Sequence, residues 1–342
     1  MITEMHRQMV DDHGRRLAYG EVVTAIVWTE NTAYFALGDG RLCAEGARET
    51  TGHIPVHKGA ILCATRHPDG RSVLTGGDDG RIFQIRDSQS KPDILHSGSR
   101  WIENIAASSQ SGFIVASAGR EAIVWTAKIM QEAYRIDVPS TVTGLALTND
   151  GVCLAISHYG GVSVHVLGTL TTEPEIFFWA GSHIGCAISG DGSFVVSAVQ
   201  ETGLHGWQRA TGQNMAMSGY SAKTKSLFWG PCCQWLASSG DRSAIIWPFD
   251  GEDGPMGRGP YLLGVGHDLV TCVASHPSEE IVAIGYNDGT VILASIQTNE
   301  CYPVQDASGA PVSAIAWNDS GTGLAWGTEN GRAGFLHLAK IE

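Results

Sequence analysis

Ile61-Leu62-Cys63-Ala64-Thr65, His67-Pro68-Asp69-Gly70, Ser72-Val73-Leu74-Thr75, Asp78-Asp79-Gly80, Arg81-Ile82-Phe83-Gln84-Ile85: this stretch carries the reading of the fold. Three short β-rich runs are separated by two turns, and Pro and Asp-Gly between such runs are hairpin signals. Working outward, the second of these turns recurs at Asp39, Asp79, Arg120, Gly160, Thr202, Asp241, Asp288 and Asn330. The steps are 40, 41, 40, 42, 39, 47 and 42 residues.

A period near 40 with strands in every copy is the signature of an all-β propeller, one four-stranded sheet per repeat. Eight copies predict eight blades; the first copy (Thr24 to Trp28, Tyr34 to Leu37, Leu42 to Ala44) fits only with shortened turns, so seven is the fallback. The chain reads as one domain, residues 1–342, with repeats near 22–57, 60–97, 101–138, 142–180, 183–218, 224–266, 269–306 and 312–342. The second strands (Leu74-Thr75-Gly76-Gly77, Val115-Ala116-Ser117-Ala118, Leu236-Ala237-Ser238-Ser239) are built from small residues. Such strands suit sheets that converge on an axis and cover one another on both faces.

Fourth strands fall between copies: Ile54 to Val56, Asp93 to His96, Tyr134 to Val138, Glu175 to Trp179, Asn214 to Met217, Tyr261 to Val265 and Cys301 to Gln305. The eighth copy has none of its own. Arg15 to Tyr19 lies at the right offset to complete it and close the ring, removing an exposed edge. Gly251 to Gly259, rich in Gly and Pro, is a surface insertion that accounts for the 47-residue step.

Composition narrows the function. The net charge is −13, with 35 acids against 22 bases and no basic run, which disfavours nucleic acid and anionic membranes and favours a partner with a basic surface. The eight cysteines form no C-x-x-C pair and several sit in apolar runs, which fits a reducing, cytoplasmic setting. Met1 to Arg16 has no apolar signal segment, and no run approaches a membrane span.

The repeats resemble the WD-repeat (tryptophan–aspartate) propeller family over nearly the whole chain. The matching residues are Gly266-His267, His57, Pro68-Asp69-Gly70, Asp79-Gly80, Asp288-Gly289, and Trp125, Trp207 and Trp247 closing third strands. The resemblance implies a hydrogen-bonded Asp, His, Ser/Thr and Trp set inside each blade. The second copy supplies His57, Thr75 and Asp79, with Ile85 in the Trp place; the sixth supplies Asp241 and Trp247 without a His. His57 and His267 are therefore expected to be structural.

It also implies that loops joining fourth to first and second to third strands recruit partners. These loops carry Lys58, Asp78, Arg100, Arg120, Glu121, Tyr159, Glu201, Tyr220, Lys223, Arg242, Asp268, Tyr286, Asn287 and Glu329. The tyrosines and arginines are the favoured anchors among them. Most of the ten tryptophans occupy recurring strand-end slots and read as core; Trp101 and Trp235 do not, and are candidates for exposed anchors.

No nucleophile motif, phosphate-binding loop or local metal spacing occurs. The expectation is a non-enzymatic interaction scaffold for protein or peptide partners, without cofactor or bound metal. Two other classes stay open. One is a hydrolase or lyase with an axial metal held by His158, His183, His205 and Glu201. The other is a propeller that binds carbohydrate or another small ligand.

Overall fold

In the computed structural model, residues 8–46, 50–128, 131–169, 172–265 and 268–338 are described. Among these residues, apart from a single short helix, Met9–His13, the regular structure is antiparallel β. Repeat 2 shows the plan: Ile61–Arg66, Val73–Gly77, Arg81–Ile85 and Asp93–Ser97 pair in that order from the axis outward. Repeats 1, 3, 6 and 7 follow it, beginning at Val23–Thr29, Ile105–Ala107, Leu227–Trp229 and Val270–Ser275. Repeat 8 consists of Val312–Trp317, Gly323–Thr328 and Arg332–His337, and its outer strand is Gly14–Ala18 from the start of the chain, with Gly14 opposite Leu336. The ring closes as the strand arithmetic requires.

The first strands of successive repeats touch in a closed circle, repeat 8 returning to repeat 1. Ser and Thr side chains stitch their inner edges: Ser226 Oγ donates to the carbonyl of Val273 at 3.1 Å, Thr271 Oγ1 to Val312 at 2.7 Å, and Ser313 Oγ to Val23 at 2.6 Å. Each bond crosses to a backbone carbonyl of the next repeat.

The small residues of the second strands have a direct cause. A Cβ on Gly76 would lie 2.4 Å from Ile102, on Gly285 2.6 Å from Val312, and on Gly327 2.4 Å from Val23. In each case the obstacle belongs to the next sheet around the ring, so the sheets approach to backbone distance near the axis. Further out, large apolar side chains fill the widening gap. Trp125 and Ile114 pack with Leu74 and Ile82 between repeats 2 and 3, and Phe335 and Ala325 with Phe35 and Trp28 between repeats 8 and 1. Among the described residues, eight such clusters lie one between each pair of neighbouring repeats.

Repeats 4 and 5 depart from the expected punctuation. Cys153–Val166 holds both the second and third strands of repeat 4, folded back at Gly160 and Gly161 (φ 91° and 151°) so that the Leu167 amide meets the Val152 carbonyl at 2.8 Å. Glu175–Ile188 is the outer strand of repeat 4 and continues directly as the inner strand of repeat 5. Hydrogen-bond connectivity among the described residues therefore gives seven sheets, six of four strands and one of six. Counted as sheets there are seven blades, the lower number left open by the sequence; counted as packed layers there are eight, one per repeat. At Ala180-Gly181-Ser182 the chain bulges, with Gly181 at φ 124° and the pairing stepping from Phe178 to Ser182, so a bulge and not a loop joins the two strands.

Candidate interaction surface

The antiparallel order places the turns between second and third strands, and the connections from fourth to next first strands, at one end of the ring. Beneath that end lie polar sets that fix the loops. In repeat 2, His57 Nδ1 is 2.9 Å from Asp79 Oδ1 and Nε2 is 2.9 Å from Thr75 Oγ1. The ring of Phe83 meets the imidazole edge-on at 4.8 Å. Burial lowers the His57 pKa, against the opposing pull of the Asp79 carboxylate. Burial also pushes on Asp79, but its hydrogen bonds from His57 and from the amides of Lys58 and Arg81 win, and its pKa is lowered. Three of the four residues implied by the family pattern are thus assembled, with Ile85 buried in the apolar place of the fourth.

Repeat 6 solves the same problem with a tyrosine. Trp247 Nε1 donates to the Tyr220 hydroxyl at 2.7 Å, and Tyr220 and Ser238 share a 2.7 Å hydrogen bond. Tyr220 stands 18 residues before Ser238, as His57 stands 18 before Thr75. Asp241 accepts from Ser221 at 2.6 Å instead of from a histidine. In repeat 7, Asp288 accepts from the Thr290 amide at 2.8 Å and shapes its own turn. His267, expected to be structural, lies with Gly266 outside the described residues.

This corrects two of the expected anchors. Tyr220 is buried within the repeat 6 set, and Tyr286 is fully buried with its hydroxyl donating to the carbonyl of Gly264 at 2.6 Å. Neither offers a surface to a partner. Trp235 is likewise core, between repeats 6 and 7, whereas Trp101 is exposed.

Arg100, Arg120, Tyr159, Glu201, Lys223, Arg242, Asn287 and Glu329 are all exposed at the loop end. Some are held in place. Arg100 lies over Gly119, where a Cβ would come within 2.8 Å of its Nη1. Arg120 Nε donates to the Val138 carbonyl at 3.2 Å, and Asn287 Nδ2 donates to Asp268 at 3.1 Å. The Leu269 amide, then Asn287, with Arg242 nearby, hold the Asp268 carboxyl below the usual carboxylate range. Asn287, Asp268 and Arg242 thereby form one polar group across repeats 6 and 7.

The axial metal candidates are not brought into a ligand set. His183 bonds Ser197 at 2.7 Å and the Trp179 carbonyl at 3.0 Å, His158 bonds the Tyr159 carbonyl at 2.9 Å, and His205 stacks on Trp179 at 3.7 Å. Among the described residues, no three His, Cys, Asp or Glu side chains converge as a metal would need. At the other end of the ring, residues at and just past the ends of the first strands of repeats 8, 1, 2 and 3 line an open cavity of about 300 Å³. Arg66 and Asp319 form an ion pair across its mouth.

Sequence reasoning missed the outer strand of repeat 4 as a surface. Ile176 is 62% exposed, Phe178 72% and Trp179 41%, beside Tyr159 at 66%. Four consecutive apolar residues on an outermost strand, without Lys or Pro, were the available signal.

Comparison with known proteins agrees with this architecture. The WD domain, G-beta repeat family matches residues 48–84 and 214–248, and the anaphase-promoting complex subunit 4 WD40 domain family matches residues 273–342. The serine-threonine kinase receptor-associated protein of Gallus gallus is 22% identical over 228 residues, 66% of this chain and 61% of that protein. The chain thus spans less than two thirds of that relative. The crystal structure of the computationally designed Ika8 protein superposes with a TM-score of 0.78 at 18% identity, covering 94% of this chain and 98% of that one. The RRP9 WD40 repeats superpose with a TM-score of 0.65 at 15% identity, covering 83% and 96%. The chain is a β-propeller, and these matches support its reading as one built from WD repeats.

Proposed function

We propose that the protein is a non-catalytic scaffold that binds protein or peptide partners through exposed loop residues on a preorganised propeller end. The observation that carries the reading is the contrast at that end. His57, Tyr220 and Tyr286 are consumed in holding the loops, while Arg100, Arg120, Tyr159, Lys223 and Arg242 project from them into solvent. A surface whose backbone is fixed from below loses little freedom on binding. WD-repeat propellers typically serve as interaction scaffolds, which supports the same conclusion. The chain's overall acidity favours a partner whose surface carries basic groups for the exposed Glu201 and Glu329 at the same end, and its eight free cysteines suit a reducing, cytoplasmic setting.

The test is affinity purification of the tagged full chain from its native cell, compared with an Arg100→Glu, Arg242→Glu double variant. Partners that co-purify with the parent and are lost from the variant support the reading. A variant that retains every partner overturns the assignment to this end of the ring.

A further inference from the structure

We propose that the outer edge of repeat 4, Glu175 to Gly181, is a docking strand that pairs with an extended, Lys- or Arg-bearing segment of a partner protein. The proposal rests on the scaffold reading and adds a site and a partner chemistry to it.

An outermost strand exposes unpaired backbone groups, and proteins normally blunt it with charge, proline or brevity. Three of the other outer strands show such devices. Gln131–Asp137 carries Arg135, tied to Glu132 and Glu121; Cys301–Gln305 carries Pro303; Tyr261–Leu263 has three residues. Glu175–Trp179 reads Glu-Ile-Phe-Phe-Trp. Its one charge is neutralised by Arg209, whose Nη2 and Nε lie 2.6 and 3.0 Å from the carboxylate. Among the described residues Glu175 to Phe178 pair only with Gly161 to Val164, and the strand that pairs on the other side begins at His183.

The edge is anchored from behind. Phe177 is buried against Trp207, and the Trp179 indole stacks on His205. Ile176 and Phe178 share the opposite face and remain in water, so an added strand would find both a backbone template and two apolar contacts.

Charge selects the occupant. From Ile136 to Gln208 the sequence contains no Lys or Arg, but does contain Asp137, Asp150, Glu173, Glu175, Asp191 and Glu201. Exposed Glu201 sits beside Gly181 at the end of the edge, where a Cβ would lie 3.5 Å from its carboxylate. A cationic segment meets both these acids and the exposed faces of Phe178 and Tyr159. A second copy of this chain would set Glu173 and Glu201 against their own kind.

The probe is a fluorescein-labelled decapeptide of alternating Lys and Val, with the Glu/Val decapeptide as control, titrated against the full chain by anisotropy. The variants are Ile176→Lys, which places a charge on the edge, and Phe178→Ser; both positions are exposed, and unchanged melting verifies the fold. Saturable binding is expected, roughly tenfold weaker for the Glu/Val peptide and for each variant. Amide exchange at 175–181 should slow in the complex. Equal binding by the variants, or unchanged exchange, overturns the proposal. So does a concentration-dependent dimer that Ile176→Lys abolishes, since the edge would then belong to a second copy. If Ile176→Lys keeps native partners that Arg100→Glu, Arg242→Glu loses, the docking edge fails and the scaffold reading stands.

Discussion

Trp28 donates its indole N–H to the carbonyl of Ala316 at 3.1 Å, across 288 residues of sequence. The bond joins the first strand of repeat 1 to that of repeat 8, and with Ser313 on Val23 it forms the seam of the ring. Trp317 makes the equivalent bond to Ala274 at 3.2 Å, one repeat earlier. The seam therefore uses the same inter-sheet contact as a continuous part of the ring, with no special joint.

The outer half of the seam is the strand Gly14–Ala18. Deleting residues 1 to 20 removes it, exposes the edge of Arg332–His337 and takes Arg15 from the buried carboxylate of Glu45, 3.0 Å away. A sharp fall in melting temperature is expected by calorimetry. An Arg15→Met variant isolates the ionic part and should cost on the order of 2 kcal/mol by urea unfolding. Melting of the truncated chain at the parent temperature would contradict the closure.

Tyr220→Phe should leave the Trp247 N–H and Ser238 short of a partner inside repeat 6, lowering stability by about 1 to 2 kcal/mol. Because Tyr220 is buried, partner binding measured below the new melting point should not change. Loss of binding without loss of stability would return Tyr220 to the surface role first expected of it.

Gly327→Ala places a Cβ 2.4 Å from Val23, with no flexible side-chain end to yield. Overpacking of this kind costs roughly 1 to 3 kcal/mol, read as a shift in the urea midpoint at constant slope. A compensating Val23→Ala change should recover much of it, which a local backbone effect would not allow.

Stability should fall in mild acid. Burial lowers His165 and His205 to about 4, with His158 adding to the first and His183 to the second. The unfolded chain takes up protons near the ordinary value of about 6.5, while the folded ring resists them. Their contribution is thus complete above about 6.5 and is lost as pH falls toward 4. Melting temperature against pH should slope down across that window, and His165→Gln, His205→Gln should flatten it. An unchanged slope would assign the acid sensitivity elsewhere.

Much of this was legible in the residues. The Asp-Gly turns and the Gly/Ala/Ser second strands encode sheet spacing directly, which is why the closing strand, read as Arg15 to Tyr19, lies at Gly14–Ala18. Tyr220 and Tyr286 were misread because a loop tyrosine looks alike whether it points out or in; the shared spacing to Ser238 and Thr75 was the only local clue. The joining of repeats 4 and 5 depends on how the chain bulges at Gly181, and the exposure of Ile176 and Phe178 on which face of an outermost strand meets water. Both are tertiary facts that periodicity does not report.

The N-terminal position of the closing strand has a temporal consequence. A ribosome makes Gly14–Ala18 first and its partner Arg332–His337 last, so at about 5 to 20 residues per second the strand waits on the order of 15 to 65 seconds for its mate. Throughout that interval the nascent chain carries an open ring with sticky flanks, and holdase chaperones have their longest opportunity to engage it.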